Sequence, residues 1–543
     1  MSSKMLSGTP ILVGNNTIPG VKIHAEVKAL IPDIERACRN FGLTYAPIVV
    51  EFVRYDEMSE LAAYGGFPVR YNHWRWGMEY EELSRGYEFS KYRISEMVIN
   101  CDPCLIFCMD SNTLVDNIDV IAHAIGHNDF FTNNIFFEKT NRKMMDKLAN
   151  HATRIRSYMG RWGKERVTEF IDHVLRIDTL IDPSRAWVPK VIQEPTYKDE
   201  RKHYEPRRLE SKHNYMDEWV NPQDYREKEK KRAEKKEAAD YLDLFKRPDK
   251  NIFGFIRDNA PLKTWQQDIV AMLYDEALYF APQRQTKMLN EGWASYIDYC
   301  ILCREGLVSA GQEGSDCGIW EYAEHKMMVL GGQWSQNPYK LGYELFLDIE
   351  DRWNKGKFGR EYDECKDIKV KEKWNRNVGE GKEKVFEVRK YYNDFTALCE
   401  FFTPEFCEEK KFYEYRKFPN GEWKIVSRDY NKIKKGLLER RLNGGLPDVR
   451  LADPNHLNRG WMFLQHYSDG RPLYESYAKE TLTSLWRLWN NISVLATRNM
   501  DGVEFVYLCD GADPEKDVHL MLRSDYEKEF MKWPETQEDS EED

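Results

Sequence analysis

Ile118–Asn134 reads IDVIAHAIGHNDFFTNN, an apolar run that carries two histidines, His123 and His127, four residues apart. On an α-helix this spacing stacks both imidazoles on one face about a turn apart, the bite that one metal ion takes from a single element. Leu114, Ile118, Ile121 and Ile125 form a stripe nearly opposite, and the histidine face runs on into Phe130 and Phe131, so both sides of the helix are expected to be buried. Two buried imidazoles with no hydrophilic side to escape to need either several hydrogen-bond partners or a metal. A pair of satisfied core histidines is the plain alternative.

A third ligand has to come from another element. Met288–Tyr299, MLNEGWASYIDY, is an apolar helical stretch in which Glu291 beside Trp293 is costly to bury unless it is paired or coordinating. Upstream, Val27, Leu30, Ile31, Ile34 and Ala37 recur at helical spacing, Ile48, Val49 and Phe52 predict a short strand, and Ile94–Asn100 alternates as another strand before CDPC turns the chain. Tyr64–Arg75, YGGFPVRYNHWR, reads as a rigid, partly buried loop. A helical stretch over Met144–Leu180 leads into Tyr197–Asn251, whose centre REKEKKRAEKKE (Arg226–Glu237) predicts a solvated helix or flexible linker between two halves of one domain. Helical patterns return over Leu262–Cys303 and Pro338–Trp353. Beyond 366, strand-like runs at Phe412–Phe418, Trp423–Val426 and Val503–Cys509 alternate with a helical one at Tyr474–Leu488. The expected fold is mainly α with α+β parts. Its segments are 1–195 and 256–365 as the two halves of the metal-binding domain, 196–255 as a charged insertion, and 366–543 as a smaller C-terminal α+β domain.

A chain of 543 residues with 13% aromatic content builds several packed cores. Its net charge of −11 supplies no electrostatic footprint for nucleic acid or an anionic membrane surface. No run approaches the 18 apolar residues of a membrane helix, and MSSKMLSGTPILVGNN has no signal-peptide core, so a cytoplasmic protein without a membrane span is expected. Eleven scattered cysteines fit reduced thiols. The CxxC pairs Cys101/Cys104 and Cys300/Cys303 offer a rival four-thiolate zinc site, although CILC lies in an apolar helix where cysteine acts as a small hydrophobe. Glu200/His203 and Glu210/His213 repeat the ExxH spacing of carboxylate bundles, but their polar surroundings offer no bundle core.

The pair HxxxH followed by LNEGWASY resembles the metal site of the gluzincin metallopeptidases, in which two histidines and the Glu of the NEG segment hold zinc. That resemblance implies a zincin-like helical metal-binding domain with His123, His127 and Glu291 as ligands of a divalent metal, zinc. The glutamate of the HExxH motif, the usual general base, is Ala124 here. YGGFPVRYNHWRWG, EMVINCDPC, HAIGHNDFFTNN, NEGWASY and NPYKLG, in this order, resemble the stage V sporulation protein R (SpoVR) family. This second likeness implies a cytoplasmic bacterial protein tied to spore cortex formation or a stress response, with a PrkA-type serine kinase and a von Willebrand A-domain protein as implied partners. Glu96, His73 and Tyr339 are the candidates for a replacement base or an oxyanion donor, with Asp129 as a further metal ligand and His325 nearby. Their structural alternatives are a Glu96–Arg93 pair, a packed Tyr339 and an Asp129 that hydrogen-bonds a backbone amide or orients His127. Two functions follow: a metal-dependent hydrolase of amide or peptide bonds with a non-standard base, or a catalytically inactive metal-stabilised regulatory protein acting with the kinase.

Overall fold

The computed structural model describes residues 20–88, 96–187, 221–223, 225–231, 248–304, 317–331, 337–418 and 421–531. It divides into two compact units, Met1–Val167 with Leu278–Leu446, and Thr168–Ala277 with Pro447–Asp543. The chain is mainly helical with a sheet-bearing C-terminal part, as its patterning predicts. The first unit ends at Leu446, whereas the change of pattern along the sequence falls at 366. Among the described residues no helix is long and apolar enough to cross a membrane. Of the charged run Arg226–Glu237, residues 226–231 are helical, and the remainder lies outside the described residues with both ExxH spacings and Arg93.

In the first unit, helix α1 (Gly20–Asn40) precedes a three-stranded sheet of β1 (Ile48–Val53), β2 (Glu96–Ile99) and β3 (Cys104–Met109), in the order β1-β3-β2. β1 runs parallel to β3, and β2 is the antiparallel edge strand. Helix α2 (Leu114–Asn133) follows β3 and starts on a reciprocal cap: Asp116 N–H donates to Thr113 Oγ1 at 3.1 Å, and Thr113 N–H to the Asp116 carboxylate at 3.2 Å. Every residue from Asn117 to Phe131 is buried. Both faces of the histidine helix are therefore covered, as the opposed stripe and aromatic face require.

The cover comes largely from α3 (Lys287–Tyr299), with α4 (Cys317–Leu330) and α5 (Pro338–Lys355) beside it. α3 approaches its neighbours through small residues. A methyl group at Gly126 would sit 2.8 Å from the Ala294 Cα, and one at Gly292 only 2.3 Å from the Gly342 carbonyl carbon. The glycine of NEG thus lets the backbones of α3 and α5 touch, while Gly126 lets α2 close on α3 at Ala294, which brings Glu291 within reach of α2. Gly292→Ala is expected to cost about 3 kcal/mol, the upper end of ordinary overpacking, read as a lowered midpoint of chemical denaturation. α6 (Gly381–Tyr391) and α7 (Asp394–Phe401) close the same core, burying Val385, Val388, Leu398 and Phe401. Asp394 accepts from the Met288 and Leu289 N–H groups at 2.8 and 2.9 Å, which caps α3 and fixes its axial position.

The second unit carries a five-stranded sheet of β4 (Val449–His456), β5 (Trp461–His466), β6 (Ser493–Arg498), β7 (Glu504–Cys509) and β8 (Val518–Leu522) in the order β8-β7-β6-β5-β4. Helix α8 (Glu475–Trp489) makes the crossover between the parallel neighbours β5 and β6; the other pairs are antiparallel.

Candidate functional site

The two imidazoles of α2 are held from behind. His123 Nδ1 lies 2.9 Å from Asp298 Oδ2 and His127 Nδ1 lies 3.0 Å from Asn290 Oδ1, both partners on α3. Each of these oxygens accepts, so each Nδ1 donates backward and each Nε2 is the nitrogen turned toward the site. Both Nε2 atoms face carboxylates. Glu291 Oε2 lies 3.3 Å from His127 Nε2 and 3.9 Å from His123 Nε2, and Glu96 Oε1 lies 3.5 Å from His123 Nε2. Glu96 enters from the first residue of edge strand β2, Glu291 from the second turn of α3.

A metal fits this group on two grounds. Ligand atoms about 2.0–2.1 Å from a tetrahedral ion stand about 3.3 Å apart, close to the observed separations. Glu96 Oε2, His123 Nε2 and Glu291 Oε2 are also buried without a hydrogen-bond partner, a costly arrangement for three neighbouring polar side chains. One ligand atom each from Glu96, His123 and His127 falls within 4.8 Å of the others, the cluster of metal-binding type among the described residues. The two histidine side chains are 8% exposed, Glu291 16% and Glu96 21%, so the group opens on the Glu96 side.

Charge follows from the packing. Burial alone would lower the pKa of His123, but Glu96, Asp298 and Glu291 outweigh it and raise it well above the usual histidine value. Glu291 is held well below the carboxylate range, because His127 and His123 overcome the effect of burial. Glu96 goes the other way: burial pushes its pKa up, Glu291 and Asp119 add to the rise, and the histidines offset only part of it. Tyr339, in the first turn of α5, stacks on His123 with ring centroids 6.3 Å apart. Burial, with Glu291 and Glu96 nearby, raises its phenol so that it stays a donor.

Five sequence candidates thus come together: Glu96, His123, His127, Glu291 and Tyr339. Two do not. Asp129 is spent elsewhere: Arg389 Nη1 lies 2.8 and 2.7 Å from its two oxygens, Trp293 Nε1 donates at 3.0 Å and Thr44 N–H at 2.8 Å, which corrects its reading as a metal ligand. His73 packs with Tyr71, Trp74 and Trp76, accepts from Arg75 N–H at 3.3 Å, and is not in the group of convergent ligand atoms among the described residues. The four-thiolate alternative fails too. Cys101 and Cys104 point at the Ile99 carbonyl, Cys300 lies in a separate core, and burial pushes the Cys300 thiol up to about 12. Sequence reasoning missed Asn290 and Asp298. Asp298 is a buried acid on the same apolar helix as Glu291, so the argument that singled out Glu291 applies to it equally.

The family described as SpoVR like protein matches residues 22–446. The chain is 25% identical over 505 residues to the uncharacterized protein YcgB of Escherichia coli (strain K12), covering 88% of this chain and 93% of that protein. No solved structure matches this chain.

Proposed function

The chain belongs to the SpoVR-like family, and from that footing we propose that it is a metal-dependent hydrolase of amide bonds, acting on a peptide or cell-wall-related substrate. His123, His127 and Glu291 hold a divalent cation, zinc, with Glu96 facing it. The observation that carries this reading is the convergence of the Glu96, His123, His127 and Glu291 side chains at 3.3–3.9 Å, with both Nδ1 atoms tied behind them. When bound, the cation supplies Lewis-acid polarisation of the scissile carbonyl. Glu96, carried in on β2, takes the role that Ala124 leaves vacant. Its Oε2, buried without a hydrogen-bond partner, would accept the proton of the attacking water, and its raised pKa suits a group that later returns the proton. The Tyr339 phenol donates to the oxygen on which negative charge develops. The likeness to a zincin rests on the paired helices α2 and α3 and is an analogy of site, not of sheet.

Metal analysis of the purified protein tests this reading. One zinc per chain is expected, lost in His123→Ala and in Glu291→Ala. Affinity should fall as the pH drops. The proton on His123 competes with the ion, and its pKa is raised, so the loss begins above the ordinary histidine value of about 6.5 and deepens below it. Calorimetric titrations across that range should show proton release on binding. Wild-type protein that takes up no zinc at any pH overturns the reading.

Ala124 supports a second reading, in which the ion only pins β2, α2 and α3 together and the protein serves a kinase-linked sporulation or stress pathway in the cytoplasm. Chelation then lowers the melting temperature strongly and no amide is cleaved, because a structural ion contributes folding energy.

A further inference from the structure

One helix face sends polar side chains toward the back of the site. α4 carries Tyr322, His325 and Lys326 at i, i+3 and i+4, while the adjacent Met327 and Met328 are 77% and 63% exposed. Tyr322 OH donates to Asp298 Oδ1 at 3.1 Å. Lys326 Nζ lies 2.5 Å from Asp298 Oδ1 and 2.6 Å from Oδ2, and donates to the Ser295 carbonyl at 3.1 Å. His325 Nδ1 lies 2.7 Å from Asp119 Oδ2, one turn before His123 on α2. An apolar seat would hold this helix with less desolvation than a lysine and two carboxylates, so the polar choice calls for a purpose beyond packing. Its geometry supplies one. Asp298 is 1% exposed, and the Tyr322 and Lys326 donors of α4 fix its plane so that Oδ2 meets His123 Nδ1.

We propose that Lys326 and Tyr322 are positioning residues: they lock Asp298 in the orientation that aims the His123 Nε2 lone pair into the site, and so set how tightly the site holds its ion. The proposal rests on the metal reading above for its consequence, but not for its geometry. Losing an outer partner of a ligating histidine weakens binding by about 10–100-fold.

The full-length protein is assayed with zinc alone against a competing chelator. Lys326→Met is expected to bind about 10–100-fold more weakly and to alter the visible spectrum of the cobalt-loaded form, while Lys326→Arg recovers most of both. Tyr322→Phe, a milder change that guards against a Lys326→Met protein that does not fold, is expected to bind about fivefold more weakly. Crystal structures of metal-free wild type and Lys326→Met, or Tyr322→Phe in its place, decide the geometry independently. The His123–Asp298 contact should be kept in the first and broken or rotated in the variant. Affinities within twofold of wild type, or an unmoved His123 ring, overturn the proposal. Wild type that binds no zinc while its variant ring still turns would instead sink the metal reading alone.

Discussion

Asp129→Ala is expected to lose about 3–5 kcal/mol of stability with no change in metal uptake. The side chain is fully buried and joins four segments: α2 by its own backbone, α6 through Arg389, α3 through Trp293, and the approach to β1 through Thr44. Removing it strands the Arg389 guanidinium, itself 7% exposed, without its carboxylate, and it is this uncompensated charge that makes breaking a buried pair so costly. Urea denaturation should show a much lower midpoint with an unchanged slope. Adding Arg389→Met should restore part of the loss, since the charge is then gone as well. Zinc content per folded chain should match wild type, and a loss of zinc at full stability would return Asp129 to the ligand set.

Glu96→Gln is expected to keep one zinc per chain and to slow amide cleavage by about 10²–10⁴-fold, the usual contribution of a general base. The amide is nearly isosteric, so it preserves the packing at the start of β2 but accepts no proton from water. Peptide mixtures and cell-wall fragments, with products followed by mass spectrometry, supply the readout. Zinc lost along with activity would make Glu96 a ligand rather than a base.

The candidate cluster was legible in the sequence where its logic is local. His123 and His127 declare themselves by spacing, Glu291 by sitting in an apolar helix, and Glu96 and Tyr339 by lying next to recognisable elements. Asp129 was not legible. Two residues beyond His127 is about 200° around a helix, so it faces away from the imidazoles, and the arginine that claims it lies 260 residues later in the chain. Lys326 fails for the opposite reason: a lysine beside two methionines reads as solvated, and only the fold shows it beneath Asp298. The extent of the first unit was hidden likewise. α6 and α7 follow a charged stretch, yet their apolar faces complete the core around the histidine helix.

The interleaving of the two units also sets a schedule. His127 leaves the ribosome 164 residues before Glu291 (291 − 127 = 164), with residues 168–277 of the other unit made in between. At about 5–20 residues per second the nascent chain carries α2 without its α3 cover, its apolar stripe open, for about 8–30 s. During that interval its sticky surface invites aggregation or chaperone capture, and moving residues 168–277 to the end of the gene should shorten the wait.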